Sequence, residues 1–257
     1  MASKRGSRPT VAPIGNLTMF ENVHTELAPR HREKMIALFG DPGVGKTEAA
    51  RYLQDQGIAH YFECPVNPTY SGFASALARS LGVAPKRSGQ ETVEEIIAYL
   101  QQRRVTQKVG RREITHHPTL IFDEAQRLMA NRSLCLMELA RYLHDRGDLS
   151  VVLVGMPDLK NTLLPYRQLY DRIHFVEFRP WSAGDVRVVA DMCHGVALDE
   201  PFIKALLRET HGVGRRIARA LESVAQFAQL SGSQTVALSQ WVDPAGAQLP
   251  IVPVVGG

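Results

Sequence analysis

The chain has 257 residues, of which 44% are hydrophobic and 22% charged, so it can bury the core of one large domain, or of one domain and a small companion. Its 30 basic and 26 acidic residues leave a formal net charge of +4, a mild lean that permits nucleic-acid contact without demanding it. Cys64, Cys135 and Cys193 are odd in number and far apart, which speaks for reduced thiols in a cytoplasm and against a disulfide framework or zinc site; no apolar run is long enough to span a membrane.

In chain order, residues 1–13 read as a flexible basic arm carrying Lys4, Arg5 and Arg8. A helix interrupted near Pro29 is expected over 16–33. Met35–Phe39 is an apolar strand, and Lys46–Gln56 a helix with Ala49, Ala50 and Leu53 on one side. Ala59–Cys64 is a second strand, closed by Pro65, and Ser71–Leu81 a helix. A loop over 82–89 carries Lys86 and Arg87. Val93, Ile96, Ile97 and Leu100 have helical spacing and lead into the basic run Arg103, Arg104, Lys108, Arg111 and Arg112. Thr119–Phe122 is a third strand, Leu134–His144 a helix, Leu149–Val154 a buried parallel strand and Ile173–Phe178 the last strand. Strands alternating with helices imply a parallel sheet with helices on both faces. From Trp181 three helices are predicted, over 182–192, 200–210 and 213–229, with one strand-like run at Thr235–Leu238. The predicted organisation is an arm and leading helix (1–33), an α/β core (34–180), a helical lid (181–232) and a C-terminal tail (233–257), loosely held from Asp243 onward.

Two stretches carry chemistry. Gly40, Asp41, Pro42, Gly43, Val44, Gly45, Lys46 and Thr47 match the Walker A pattern, Gly, four residues, Gly-Lys-Thr, between a strand and a helix. The glycines let backbone N–H groups curl around a phosphate, and the helix aims its N-terminal dipole at the same anion. Lys46 places a charge on the outer phosphates of ATP, and the Thr47 hydroxyl is placed to ligate Mg²⁺. The second stretch is the apolar strand ending in Asp123-Glu124, which delivers two carboxylates to the C-terminal edge of the sheet. Asp123 is expected to hold Mg²⁺, directly or through water, and Glu124 to orient and deprotonate the attacking water. His116 and His117 lack ligand partners at metal spacing and read as structural.

This layout resembles the AAA+ ATPases, P-loop NTPases with a parallel αβα sandwich core followed by a small helical lid. Within them, Ile121-Phe122-Asp123-Glu124-Ala125-Gln126-Arg127-Leu128, Val151–Leu159, Tyr170-Asp171-Arg172-Ile173 and Gly212–Ile217 are similar to the transposition regulators of the MuB, TniB and TnsC group. The resemblance covers roughly residues 15–232. It implies an ATP hydrolase, stimulated by DNA or a partner, that assembles as a ring or filament on double-stranded DNA, selects target sites for a DDE transposase and activates it. It makes Arg172 the arginine finger offered to a neighbouring subunit, with Arg167 as understudy, and Arg215 the lid arginine that reports nucleotide state, with Arg216 beside it. Duplex contact would come from Lys86, Arg87, Arg103, Arg104, Lys108, Arg111 and Arg112, each neutralising a phosphate. One departure is Met156, which stands after Gly155 where many relatives place a polar residue that orients water; this implies either slow hydrolysis or Gln126 as the substitute. Alternatives are a helicase-loader ATPase of the DnaC or IstB kind and a signalling or secretion ATPase of the ExeA kind.

Overall fold

The structure is a computed structural model describing residues 11–27, 35–109, 112–129 and 135–241. The expectations for Lys4, Arg5, Arg8, Pro29, Arg111 and the tail beyond Trp241 lie outside the described residues. The first elements are helix α1 (Gly15–Leu27), strand β1 (Met35–Gly40), α2 (Lys46–Asp55), β2 (Ala59–Glu63), α3 (Tyr70–Ser80) and α4 (Gly89–Gln101). Then come β3 (Val105–Val109), β4 (Arg112–His116), β5 (Thr119–Asp123), a 3₁₀ turn at Ala125–Met129, α5 (Cys135–Gly147) and β6 (Ser150–Gly155). The chain continues through α6 (Leu159–Leu163), α7 (Arg167–Tyr170), β7 (Ile173–Phe178), α8 (Ala183–Val189) and a π turn at Ala190–His194. It closes with β8 (Ala197–Leu198), α9 (Glu200–Thr210), α10 (Gly214–Ser231) and β9 (Thr235–Val236). Contacts divide the described residues into two units, one drawn from 20–40 and 46–177, the other from 1–19, 41–45 and 178–257.

The first unit is built on a five-stranded parallel sheet in the order β2-β5-β6-β1-β7. β5 and β6 are buried along their whole length, because helices cover both faces and leave no solvent side for polar alternation. Alternation still sorts the two faces. Ala37, Phe62, Leu120, Phe122 and Leu153 join Phe73 and Leu77 of α3, Ile96 and Leu100 of α4, and Leu139 and Leu143 of α5 in one core. Phe62 packs edge-on against Phe73 and Phe122, with ring centroids 5.4 and 6.2 Å away. The other face carries Ile36, Leu38, Tyr61, Ile121 and Asp123, and α2 buries Ala49, Ala50 and Leu53. Capping decides where the covering helices begin: Thr69 accepts from Gly72 N ahead of α3, and Ser88 forms a reciprocal capping box with Glu91 ahead of α4.

The basic run after α4 folds into an antiparallel hairpin, β3 with β4, pairing Val105 with His116 and Lys108 with Glu113. Its charge hides the strands, which the β-forming Val, Thr and Ile on either side of Gly110 supply. Both feet of this hairpin reach one buried carboxylate. Arg104, just before it, lies 3.0 Å from Asp148 Oδ2, and His117, just after it, 3.5 Å from the same oxygen. Nearby, His24 shares a 2.8 Å hydrogen bond with Thr119 Oγ1, and burial lowers its pKa, which favours the neutral ring.

The second unit is mainly helical. Ser182 and Asp185 form a capping box ahead of α8, and Asp199 accepts from Phe202 N ahead of α9. The helix expected over 182–192 continues through the π turn and stops at Gly195, whose φ of +64° is left-handed. Val186, Phe202, Leu206, Ile217, Leu221 and Val224 form its core, and Trp241 packs on Phe202 and Phe227 with centroids 5.6 and 5.5 Å away. β8 and β9 make a two-residue parallel pair, too short for hydrophobic periodicity to reveal β8 in advance. No helix among the described residues is long and apolar enough to cross a membrane.

Candidate functional site

The site begins where β1 ends and α2 begins. Gly43 and Gly45 sit at φ +83° and +103°, positions that L side chains rarely adopt, so the loop can turn its backbone inward only with glycine there. Lys46, the first residue of α2, is buried, and its Nζ donates to Gly40 O at 2.6 Å. A buried ammonium calls for anionic company, and a loop followed by a helix N-terminus is built to receive an anion. Next along the helix, Thr47 Oγ1 donates to Asp123 Oδ2 at 2.8 Å. This brings the last residue of β5 to the first turn of α2, the meeting that a Walker A and Walker B pair requires.

Asp123 is nearly buried and accepts two further hydrogen bonds, from the Tyr61 hydroxyl to Oδ2 at 2.9 Å and from Glu124 N to Oδ1 at 2.8 Å. Burial first, then the Asp123 carboxylate, push the Tyr61 hydroxyl above its ordinary pKa, so it remains a donor. Cys64 follows β2 and is fully buried; burial, and then the charge of Asp123, raise its thiol and keep it unreactive.

Glu124 adopts φ +55°, an uncommon conformation for a non-glycine residue that turns the chain out of the sheet. Gln126 Nε2 donates to Glu124 Oε2, and Arg127 Nη2 lies 4.0 Å from the same oxygen. Arg127 is itself fixed by Cys64 O at 2.6 Å and Glu63 at 3.2 Å. The other end of Gln126, Oε1, is buried with no hydrogen-bond partner among the described residues. A Cβ on Gly155 would come within 3.0 Å of that oxygen and 2.9 Å of Leu159. Gly155 thus leaves the space Gln126 occupies, while Met156 is half-buried and offers no polar group.

In the second unit, residues 41–45 keep company with the helical elements. Arg215 N donates to Gly43 O at 2.9 Å and Trp181 Nε1 to Val44 O at 3.2 Å. Gly214 lets α10 begin against Trp181, since a Cβ there would fall 2.5 Å from the indole. The Arg215 and Arg216 side chains are exposed.

A family model for the AAA domain matches residues 30–163, just over half of the 257-residue chain. The chain belongs to the AAA domain family. Membership implies nucleotide binding with a divalent metal, and the residues present fit both: glycine-dependent loop turns, a buried ammonium, and a hydroxyl–carboxylate pair. Two structures similar to this AAA domain are Drosophila ORC bound to DNA (19% identity, TM-score 0.55) and Aeropyrum pernix ORC1 in complex with DNA (22%, 0.55). Each similarity covers 89% of this chain, and 60% and 63% of those chains respectively, so this chain spans about three fifths of their length. A third is the Thermotoga maritima RuvB Holliday junction branch migration motor, at 18% identity and a TM-score of 0.53, covering 89% of this chain and 68% of that one. At these identities the likeness establishes the fold. No curated protein matches the sequence.

The remaining expected site residues are dispersed over the first unit. Arg172 lies between α7 and β7, its backbone oxygen accepting from Met35 N at 2.7 Å. Its guanidinium holds both oxygens of Asp145, at 3.2 and 3.1 Å. Arg167 is exposed at the start of α7. Lys86 lies 3.4 Å from Glu95, Arg87 is exposed, and Arg103 stacks 4.3 Å over the Tyr99 ring. Arg104 is committed inside the fold by Asp148 and by Gly147 O at 3.1 Å, so a phosphate would have to displace an internal ion pair. Lys108 and Arg112 stand on the paired strands of the hairpin. Sequence reasoning missed Tyr61, Asp145 and Trp181. Tyr61 had one available signal, a polar-tipped aromatic on the same sheet face as Asp123.

Proposed function

We propose that this chain is an ATP-dependent AAA+ ATPase that oligomerises on double-stranded DNA and selects target sites for, and activates, a partner DDE transposase. The Thr47–Asp123 hydrogen bond, beside a buried Lys46, carries the ATPase part. Lys46 and the loop amides would hold the phosphates of ATP, and Thr47 with Asp123 would hold Mg²⁺, which supplies charge neutralisation at the transferring phosphate. Glu124 takes the proton of the attacking water, and Gln126 fixes the carboxylate that does so. Arg215, whose N–H donates to Gly43 O within the second unit, is the residue assigned to report nucleotide state.

The DNA part is supported by the basic positions Lys86, Arg87, Arg103, Lys108 and Arg112, with Arg111, and by the DNA complexes among the similar structures. Many subunits on one duplex make a few contacts per subunit sufficient. The transposition part is supported by the resemblance of four stretches to the MuB, TniB and TnsC group. Electron microscopy of the protein with duplex DNA tests the assembly: rings or filaments are expected with a non-hydrolysable ATP analogue and not with ADP. A monomer indifferent to DNA and nucleotide would return the chain to the loader or signalling alternatives.

The same reading makes Arg172 the finger supplied to a neighbouring subunit. Its partner Asp145 is about one-third exposed and Arg172 nearly half exposed, so their ion pair is weak and readily exchanged for a phosphate. Arg172→Ala is expected to leave nucleotide affinity unchanged and to lower turnover about 100-fold, the usual cost of one lost transition-state donor. Steady-state phosphate release at matched nucleotide saturation measures it; unchanged turnover would remove Arg172 from the mechanism.

A further inference from the structure

We propose that Tyr61 is a positioning residue for the metal site: its hydroxyl holds the Asp123 carboxylate in the orientation that serves a divalent cation together with Thr47. The proposal rests on the nucleotide-and-metal reading above. Neither Walker motif includes a residue of β2.

Asp123 has few ways to be held. Its backbone belongs to the β5 ladder, opposite Glu63 of β2, but the ladder does not fix the carboxylate torsion. Three donors do: Thr47 and Tyr61 at Oδ2, and Glu124 N at Oδ1. Of a carboxylate's roughly four acceptor sites, one on Oδ1 stays open for the cation or a water it binds. Thr47 is itself expected to turn an oxygen lone pair toward the cation, and Glu124 N moves with the strained backbone at φ +55°. Tyr61 is therefore the side-chain donor whose proton serves Asp123 alone, its oxygen accepting from Arg51.

Tyr61 is itself braced from α2. Its backbone N donates to Gln54 Oε1 at 3.0 Å, and the Arg51 guanidinium lies 5.3 Å over its ring. Thus α2, which carries Thr47, also sets the ring whose hydroxyl meets Asp123. One helix places both partners of the same carboxylate oxygen. A plain cross-strand tether is already supplied by the β2–β5 backbone pairs, so the hydroxyl adds orientation rather than attachment.

The test is Tyr61→Phe in the full chain, read by binding of a fluorescent ATP analogue as Mg²⁺ is titrated. The Mg²⁺ concentration for half-maximal effect is expected to rise about tenfold, the low end for a lost outer hydrogen bond to a metal ligand. Binding in chelator should stay at the wild-type value, and the melting temperature without metal should fall by no more than one lost hydrogen bond implies, because the ring and the Arg51 guanidinium over it remain. An unchanged Mg²⁺ midpoint overturns the proposal and leaves the nucleotide reading standing. A midpoint that moves in Tyr61→Ala but not in Tyr61→Phe also overturns it, since ring packing would then be responsible. If the wild type binds no nucleotide at any Mg²⁺ concentration, the nucleotide reading falls and the proposal falls with it.

Discussion

Glu124→Gln is expected to keep nucleotide bound and to lower hydrolysis about a thousandfold. The substitution is nearly isosteric and leaves the backbone bond from residue 124 N to Asp123 Oδ1 in place. An amide cannot accept the proton of an attacking water, and general-base catalysis contributes about 10²–10⁴ in rate. Gln126 Nε2 donates to the carboxylate and Arg127 Nη2 lies 4.0 Å from the same oxygen, so both contacts hold it in place. The amide loses the charge-assisted part of both contacts, so the variant side chain is also less well fixed. Single-turnover phosphate release, with nucleotide binding measured in parallel, separates chemistry from affinity. Oligomers formed with ATP should then persist rather than decay. Near-normal turnover would place the base elsewhere.

The elements that position the site were the legible ones. β1, β5 and β6 are continuous apolar runs because both their faces are buried, and such runs announce themselves. The loop from Gly40 to Thr47 was legible because its left-handed turns at Gly43 and Gly45 leave little choice of residue there. What stayed hidden depended on approach in space. Nothing local to Tyr61 says that its hydroxyl reaches Asp123, 62 residues away; that needs β2 to lie beside β5 in parallel register. The pairing of Arg172 with Asp145 depends likewise on α5 meeting the segment before β7. The hairpin of β3 and β4 was obscured for another reason. Five arginines and lysines within ten residues look like a solvated run, and charge masked a modest β-propensity. Arg104 shows the cost of reading charge alone, since it serves the fold through Asp148.

Lys46→Ala is expected to weaken ATP binding by about two to three orders of magnitude while the fold is kept. Truncating one partner of a buried, hydrogen-bonded charge contact costs about 2–5 kcal/mol, each 1.4 kcal/mol being tenfold in affinity. Lys46 suits that range because only 9% of it is exposed and Gly40 O already holds its ammonium at 2.6 Å. Its charge is thus preorganised at the head of α2, and a ligand pays little to order it. The stability side runs the other way. A cation in the first turn of a helix opposes the helix dipole, and alanine is the best helix former. The variant should therefore melt no lower than the wild type without nucleotide, and should lose the stabilisation that ATP gives the wild type. Calorimetric titration with ATP and a melting curve with and without it distinguish the cases. Low affinity with an intact melting point assigns Lys46 to the ligand; low affinity with a collapsed melting point assigns it to the fold; wild-type affinity removes the loop from nucleotide binding altogether.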